Sequence, residues 1–352
     1  MTRVLVSGVV LGQRQSGVRR FAANVLPRVA HGLQASGGEL ALLEPREVTG
    51  LATGNAIRSI PSRVPSWPPW RRALAERRAL RAAWRDAHAA GAPFDVVLSG
   101  HLPLPRIHGA RHVHLVHDLR ALAGLGPLWK QAAAPLALRR AIGAAELVVC
   151  VGPSVRDEVL RRHPRARVRV LEHGGDHLPL LPRAPEDFAL FVGHLEPRKN
   201  FELMLEAWRL DATLPELIVV GGGAIATAER AAAAAGLAQR ITFVGTVDDA
   251  ALARLYARAG CAVFPSRLEG FGLGLLEARR AGTPLAASSI PAHLERLEPD
   301  DPRFAVDDAP ALARAVHAAL ERRDVPRTAP RTWEAAAAAW CALLAEFGSA
   351  RA

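Results

Sequence analysis

The chain has 352 residues, half of them hydrophobic, and a formal net charge of +11. This length suits two domains, because single hydrophobic cores stop growing at about 250 to 300 residues. No apolar run approaches the roughly 20 residues of a membrane-spanning helix, and the N-terminus lacks the small-residue cleavage site of a signal peptide. We therefore expect a cytoplasmic protein. The cysteines at 150, 261 and 341 have no spacing typical of a zinc site or disulfide framework.

The charge is unevenly distributed. Residues 1–182 hold 26 Lys and Arg against 12 Asp and Glu, a balance of +14, whereas the remainder holds 19 against 22, a balance of −3. This asymmetry indicates either an anionic partner for the first half, such as a membrane surface, or an Arg-rich bias with solvated guanidinium groups. Nucleic acid is not an expected partner, because the chain has one Tyr and no basic-aromatic motif.

Short apolar segments alternate with longer Ala-, Leu- and Arg-rich segments, which is typical of parallel strands joined by crossover helices and predicts the α/β class. In the first half we predict strands at 3–9, 94–98, 112–116, 147–151 and 168–171, and helices at 17–35, 70–89, 130–143 and 153–162. In the second half we predict strands at 189–193, 216–220, 241–244, 261–264 and 284–287, and helices at 200–209, 225–236, 249–258, 272–281, 309–322 and 332–347.

The segment PLLPRAP at 179–185 concentrates prolines where the charge balance changes sign, so we predict an interdomain linker there. The expected organisation is an N-terminal Rossmann-like domain at 1–182, a second at 183–331 and a C-terminal helix at 332–352.

The most informative stretch is FPSRLEGFGLGLLEARRAGTPLAAS at 264–288, where a strand leads through a Gly-rich turn into a helix. Open α/β sheets bind ligands beyond the carboxyl ends of their strands. The glycines allow close approach of a ligand, and the N–H groups at the helix start favour a diphosphate. The predicted binding residues are Gly270, Phe271, Gly272 and Leu273.

Glu269 precedes this turn and Glu277 follows eight residues later. Because carboxylates repel phosphate, we interpret both as hydrogen-bond acceptors for hydroxyl groups. A nucleotide-sugar carries hydroxyls on both sides of its diphosphate, on the ribose and on the hexose, and matches this order. The structural alternative is a Glu269 that resembles an N-cap and a solvated Glu277.

The string EGFGLGLLEA, with VFPS before it and AGTPLAAS after it, resembles the paired-glutamate signature of the retaining glycosyltransferase family 4, group 1, which includes bacterial mannosyltransferases. The resemblance extends over nearly the whole chain. Its further segments are SGVRRF at 16–21, LVHDL at 115–119, FVGHLEPRKNFELMLEAW at 191–208, ITFVGTVDDAALARLYARA at 241–259 and TWEAAAAAW at 332–340.

This resemblance implies a GT-B fold, with two facing Rossmann-like domains and a C-terminal helix that crosses back to the first. It also implies transfer of a hexose of the mannose or glucose type, with retention of configuration and without a metal or other cofactor. The donor would be a GDP- or UDP-sugar, and the acceptor a hydroxyl of a glycan or lipid-linked molecule in cell-envelope or exopolysaccharide synthesis.

Arg198 and Lys199 follow a strand at the start of a helix, where cations neutralise a donor diphosphate and the charge that grows on it as it leaves. The resemblance favours Lys199, and it implies catalytic roles for Lys199 and Glu269. A solvated helix start is the alternative reading. The sequence also departs from the family: His194 replaces a common Arg, Gly274 a common Pro and Ala292 a usual Glu.

His117 and Asp118 follow the strand at 112–116, and the resemblance places His117 under the transferred sugar. A lone His after a strand is otherwise often structural. Gly17 would allow the backbone to come close to the donor phosphates, or it is simply a glycine at an ordinary helix start. His101 and Asp176 are further candidates with less support.

The segment WRRALAERRALRAAWRDAH at 70–88 is predicted to form a helix with Trp70, Leu74, Leu80 and Trp84 on one side and arginines around it. This pattern fits peripheral contact with the anionic inner face of a membrane, or an ordinary surface helix.

Two other classes of function stay open. Two Rossmann-like sheets also suit an NAD(P)-dependent oxidoreductase, although VVLGQRQSG follows the first strand in place of the G-x-G-x-x-G turn. A degenerate transferase acting as a binding partner would account for the three departures, whereas the presence of Lys199, Glu269 and Glu277 favours an active enzyme.

Overall fold

The computed structural model describes residues 1–12, 17–46, 56–65, 68–102, 106–122, 128–322 and 325–348. Ser16 of the SGVRRF motif lies outside these ranges. The chain divides into two units, one formed by Met1–His173 with Thr332–Ala352 and the other by Gly174–Arg331.

The first unit is built on a parallel sheet whose apolar strands are buried on both faces. Its described strands are β1 (Arg3–Ser7), β2 (Glu39–Leu43), β3 (Ile57–Ile60), β4 (Val96–Ser99), β5 (Arg111–Val116), β6 (Leu147–Cys150) and β7 (Val168–Val170). The helices of this half are α1 (Gly17–Ala35), α2 (Pro69–Ala89), α3 (Leu128–Ala144) and α4 (Pro153–Arg162). The strand order is β3-β2-β1-β4-β5-β6-β7. All of these strands are parallel, and the chain adds strands first on one side of β1 and then, from β4 onward, on the other, as in doubly wound folds.

The second unit repeats this plan. Its strands are β8 (Phe188–Val192), β9 (Glu216–Val220), β10 (Ile241–Gly245), β11 (Cys261–Phe264), β12 (Leu285–Ser288) and β13 (Arg303–Phe304). Its helices are α5 (Phe201–Leu210), α6 (Ile225–Ala234), α7 (Asp249–Arg258), α8 (Leu273–Ala281), α9 (Pro291–Leu294) and α10 (Ala309–Glu321). The order β10-β9-β8-β11-β12-β13 puts the reversal between β8 and β11, so the loops after these two strands meet at one edge of the sheet.

The C-terminal helix α11 (Trp333–Gly348) belongs to the first unit. Its Trp340 ring lies 5.9 Å from Phe21 of α1, and Trp333 stacks on His173 at 5.9 Å. Both tryptophans are 1% exposed. The helix therefore completes the core of the first unit, as the family resemblance implied.

The proline-rich segment at 179–185 is not a free linker. The Nη1 atom of Arg183 donates to the carbonyl oxygens of Tyr256, Ala257 and Ala259 at 2.8 to 3.0 Å, and Arg327 donates to Leu181 O at 2.6 Å. The division between the units falls at 173/174, nine residues before the predicted boundary. The proline-rich segment therefore belongs to the second unit and is hydrogen-bonded to other parts of it.

The sequence prediction misses β2 and β3. The strand ELALL is short and buried over four of its five residues, so it has no alternation to mark it as a strand. The strand IRSI is an edge strand with two exposed residues. The helix at 70–89 is observed, but its predicted apolar side is wrong, since Leu80 is fully buried and Trp84 packs against Phe94, whereas Trp70 and Leu74 are exposed.

Candidate active site

The loops after β8 and β11 bring together residues that are 70 positions apart in sequence. β8 pairs with β11 in parallel, so their carboxyl ends are neighbours. The N–H of Arg267 donates to the carbonyl of Arg198 at 2.7 Å and joins the two loops. Asn200 adopts a left-handed conformation with a φ of 56°, and its buried amide donates to Pro265 O and Val306 O at 3.2 and 2.7 Å.

The predicted residues Arg198, Lys199 and Glu269 form one ionic cluster at this edge. Lys199 Nζ lies 2.6 Å from Glu269 Oε1, and Arg198 Nη1 lies 2.9 Å from Oε2. The hydroxyl of Ser266 also donates to Oε1, at 2.8 Å. Side-chain exposures of 12 to 17% show that this cluster is largely shielded from water.

The two cations have different surroundings. Arg198 is also held by Glu196, which accepts from its Nε at 2.8 Å, and by Leu268 O. Lys199 lies against the backbone of Gly193, where a Cβ atom would come within 3.2 Å of its Cε. Arg198 thus braces the loop, whereas the Lys199 ammonium has three donors of which Glu269 takes one.

Opposing effects set the protonation of Glu269. Burial raises the pKa of its carboxyl group, but Lys199, Arg198 and the Lys199 hydrogen bond lower it, and the net pKa lies well below the usual range. The carboxylate is therefore ionised at neutral pH. Glu269 was predicted to accept a hydroxyl, and its position also allows it to control the charge that the two cations present.

The start of α8 lies beside this cluster. Gly272 precedes the helix with a φ of 78°, a conformation that other residues rarely adopt, and turns the chain into α8. The first N–H groups of a helix have no partner within it, so those after Gly272 suit an anion. Phe271, also predicted to bind the donor, is 6% exposed, and the Arg296 guanidinium covers its ring at 4.3 Å, so its side chain packs within the protein and its backbone is the part that lies in the turn.

Glu277 is buried within α8 and is not the solvated residue of the structural alternative. Tyr256 Oη donates to Oε2 of Glu277 at 3.0 Å, and His177 Nε2 lies 3.1 Å from Oε1. The side chains of His177 and Glu277 are 4% and 6% exposed. Tyr256 thus orients the carboxylate, and each oxygen keeps a lone pair for a ligand hydroxyl.

The triglycine after β9 packs against the loop that follows β8. A Cβ atom at Gly221 would lie 2.0 Å from Gly193 O, and one at Gly222 would lie 3.3 Å from His194 Nδ1. The His194 ring therefore lies over this turn. Close packing of the two loops explains the glycines without a ligand.

In the first unit, His117 lies after β5 and packs against Phe21 and His173, with ring centroids 5.3 and 5.6 Å away. Burial lowers the pKa of His117 to about 4, against the opposing effect of Asp118. Asp118 itself accepts from the backbone N–H of Arg120 at 3.1 Å, which closes a turn. Gly17 is exposed at the first position of α1, with open space where a side chain would be.

His101 belongs to a buried network that the sequence did not reveal. Its Nε2 lies 2.9 Å from a carboxylate oxygen of Glu76, a fully buried residue of α2 that also accepts from Ser7 Oγ at 2.5 Å. Burial raises the pKa of Glu76, but His101, Ser7 and Arg72 more than offset this effect and the net pKa is lowered. Ser7 ends β1 and His101 follows β4, so the network lies where the strand order reverses.

His293, Ser288 and Ser266 also lie at the edge of the second sheet where the ionic cluster forms, and none of them was predicted as a site residue. Ser288 ends β12, and its hydroxyl donates to Ser266 O at 2.6 Å. His293 follows in α9 and is 1% exposed. The available signal was that all three lie at or just after the carboxyl ends of the neighbouring strands β11 and β12.

Within the described ranges, no group of three or more His, Cys, Asp and Glu side chains is arranged to hold a metal ion. No helix in the same part of the chain is long and apolar enough to cross a membrane.

Comparison with known proteins agrees with this architecture. The family of glycosyl transferases group 1 matches residues 179–338, and Glycosyltransferase Family 4 matches residues 22–177. Sucrose-phosphate synthase from Thermosynechococcus elongatus superposes with a TM-score of 0.79 at 20% identity, over 99% of this chain and 100% of that one. A complex of Anabaena HepE with UDP gives 0.64 at 16% identity, over 99% and 98%.

Curated relatives match over shorter segments. O-antigen chain mannosyltransferase B of Escherichia coli is 30% identical over 177 residues, which are 44% of this chain and 46% of that protein. The D-rhamnosyltransferase WbpZ of Pseudomonas aeruginosa is 35% identical over 130 residues, 36% of this chain and 32% of that protein. The chain thus aligns with less than half the length of these relatives.

Two Rossmann-like units in one chain, with the ionic cluster beside the start of α8, define a protein of the GT-B fold. The chain belongs to the group 1 glycosyltransferases of family 4.

Proposed function

We propose that the protein is an active, retaining glycosyltransferase that needs no metal ion. It would transfer a hexose of the mannose or glucose type from a GDP- or UDP-linked donor to a hydroxyl of a glycan or lipid-linked acceptor, in the synthesis of cell-envelope polysaccharide or exopolysaccharide. The observation that carries this proposal is the contact of Lys199 with Glu269 beside the start of α8. The mannosyl- and rhamnosyltransferase relatives support a donor of the mannose type.

The chain's own residues suit each part of such a donor. Lys199 and the N–H groups at the start of α8 would hold the diphosphate and stabilise the charge that develops as it leaves. Glu277, hydrogen-bonded by Tyr256, would accept a ribose hydroxyl. The sequence points to no carboxylate nucleophile, so we favour the course that the family resemblance implies, which is attack on the same face as the departing phosphate, assisted by that phosphate.

Calorimetric titration with GDP, UDP, ADP and NAD, without added metal, tests this proposal. We expect one nucleoside diphosphate to bind, and Lys199→Ala to weaken it by about 10- to 100-fold, the effect of one charge-assisted hydrogen bond. The matched control is Arg209→Ala, which removes the same charge from an exposed site on α5. Binding of NAD alone would contradict the proposal, and binding of none would favour the degenerate partner-binding protein. Turnover with the matching nucleotide-sugars would then identify the sugar.

We also propose peripheral contact of the first unit with an anionic membrane. Trp70 and Leu74 are 66% and 51% exposed at the start of α2. The arginines that continue their face along the helix, all exposed, are Arg77, Arg78, Arg81 and Arg85. Helical spacing puts these six residues in one stripe. Trp70 and Leu74 would insert among the lipids, and the guanidinium groups that follow them would bind anionic headgroups.

Sedimentation with vesicles of phosphatidylcholine, with or without phosphatidylglycerol, tests this contact. We expect binding only to the anionic vesicles and its loss when the four stripe arginines are changed to Gln. The matched control changes four exposed arginines of α4 and the loop after it: Arg161, Arg162, Arg165 and Arg167. If both variants lose binding equally, net charge is responsible and the stripe is not a specific site.

A further inference from the structure

The His293 ring lies buried beside the start of α8. An ideal Cβ atom on Gly272 would be 3.7 Å from His293 Cδ2, and the ring meets the edge of Phe264 with centroids 6.5 Å apart. Glu269 and Lys199 both act electrostatically on the ring. His293 is therefore part of the same site as the ionic cluster.

The hydrogen bonds of Ser288 determine which nitrogen of His293 carries the proton. A hydroxyl has one proton, and that of Ser288 goes to Ser266 O at 2.6 Å. Ser288 Oγ can then only accept from His293 Nδ1, 3.1 Å away, and the backbone oxygen of Ser288, also at 3.1 Å, is always an acceptor. The proton must therefore be on Nδ1, and the neutral ring carries a lone pair on Nε2.

The ring is neutral at physiological pH. Burial lowers the pKa of His293 to about 4, and the raising effects of Glu269 and the Ser288 backbone do not overcome it. No side chain among the described residues hydrogen-bonds to Nε2. The start of α8 thus has one uncharged hydrogen-bond acceptor beside groups that attract anions.

A diphosphate cannot use such an acceptor, because its oxygens are unprotonated at neutral pH. A sugar hydroxyl can, since it carries a proton to donate. We propose that His293 Nε2 accepts a hydrogen bond from a hydroxyl of the donor sugar and makes His293 a residue that determines sugar specificity. This inference rests on the proposed function, because it needs a nucleotide-sugar in the site.

Two amide variants separate this role from a structural one. In His293→Asn, the side-chain amide reaches the position of Nδ1 and preserves the bond to Ser288, but nothing replaces Nε2. In His293→Gln, the longer amide reaches the position of Nε2. Each variant would be titrated calorimetrically with UDP and UDP-glucose and with GDP and GDP-mannose, and thermal unfolding would check that it is folded.

We expect both variants to bind the nucleoside diphosphate within twofold of the wild type. His293→Asn should lose about three- to tenfold in affinity for the nucleotide-sugar, the effect of one neutral hydrogen bond, and His293→Gln should recover most of it. In the wild type, the imidazole ¹⁵N signals should show the Nδ1–H tautomer, with an Nε2 signal that shifts on binding nucleotide-sugar but not nucleoside diphosphate.

The opposite pattern, a normal Asn variant and an impaired Gln variant, would assign His293 a structural role and overturn the inference alone. A wild type that binds neither nucleotide would instead remove the proposed function, and this inference with it.

Discussion

Lys199 Nζ lies 2.6 Å from Glu269 Oε1, so the carboxylate neutralises the cation that the proposed function assigns to the donor diphosphate. Arg198 is paired with the other oxygen of the same carboxylate. Glu269 therefore sets the charge that both cations present. Loss of the Glu269 charge should therefore raise the affinity for a nucleoside diphosphate and lower the rate of sugar transfer.

Glu269→Gln tests this relationship, because it keeps the shape of the side chain and removes its charge. We expect affinity for the nucleoside diphosphate to rise severalfold, since two cations lose their anion, and kcat to fall by at least about tenfold. Calorimetry and steady-state kinetics measure the two effects. Glu202→Gln, an exposed change on α5, is the control. Unchanged kcat in Glu269→Gln would remove Glu269 from the chemistry.

A second prediction concerns Glu277, which accepts a hydrogen bond from Tyr256 and lies 3.1 Å from His177 Nε2. If Glu277 accepts a ribose hydroxyl, the wild type should bind a nucleoside diphosphate about tenfold more tightly than its 2′,3′-dideoxy form. Glu277→Ala should abolish this preference, and Tyr256→Phe should reduce it. Equal discrimination by Glu277→Ala and the wild type would show that the carboxylate is structural.

The sequence predicted the second unit well, because its elements have strong local signals. Strands at 216–220 and 261–264 and the helix at 249–258 match the structure residue for residue. The Asp248 side chain caps that helix by accepting from Ala251 N at 2.7 Å, a pattern visible in sequence. The edge strand β3 had no comparable signal, because two of its four side chains are exposed.

The site was predictable as a set of loops but not as a set of contacts. Lys199 and Glu269 were predicted from two separate motifs. Their contact became visible only in the structure, where β8 pairs with β11 and brings the two side chains together. The position of His293 after β12 was the one signal in the sequence, and its hydrogen bond with Ser288, five residues earlier, is visible only in the structure. The prolines at 179–185 correctly indicated that no helix forms there. They gave no information about tertiary contacts, and the segment is in fact hydrogen-bonded within the second unit.

Acid should destabilise both units before the carboxylates protonate. Burial lowers the pKa of His114 in the first unit to about 3 and that of His293 in the second to about 4. Both rings remain neutral in the folded state while the unfolded chain binds protons below about pH 6.5. Stability is therefore full above pH 6.5 and falls as the pH drops toward 4. The loss at pH 5 should be about 2 kcal/mol for each ring.

Urea unfolding at pH 7 and pH 5 measures this loss. His293→Asn should reduce the acid sensitivity of the second unit, whereas His31→Asn, at an exposed position on α1, should leave it unchanged. Equal stability of the wild type at the two pH values would show that the buried rings are not held neutral.

Gly274, which stands where the family commonly has proline, packs against the ring of Phe264. A Cβ atom at Gly274 would lie 2.8 Å from Phe264 Cε1, closer than real contacts allow, and the Phe264 ring is buried. Gly274→Ala should therefore lower the free energy of unfolding by about 1 to 2 kcal/mol, even though Ala favours a helix by about 1 kcal/mol. Gly143→Ala in α3, where the added atom meets open space, should raise it by up to about 1 kcal/mol.

A double-mutant cycle measured by urea unfolding tests whether the two residues are coupled. In a Phe264→Leu background the ring edge is gone, so Gly274→Ala should become neutral or stabilising. Coupling of this kind would mean that the large ring compensates for the absent side chain at 274, and that the family's usual proline is excluded by packing. The departure would then not indicate a degenerate site. If Gly274→Ala stabilised the wild type as Gly143→Ala does, packing would not explain the glycine, and weight would move to the partner-binding alternative.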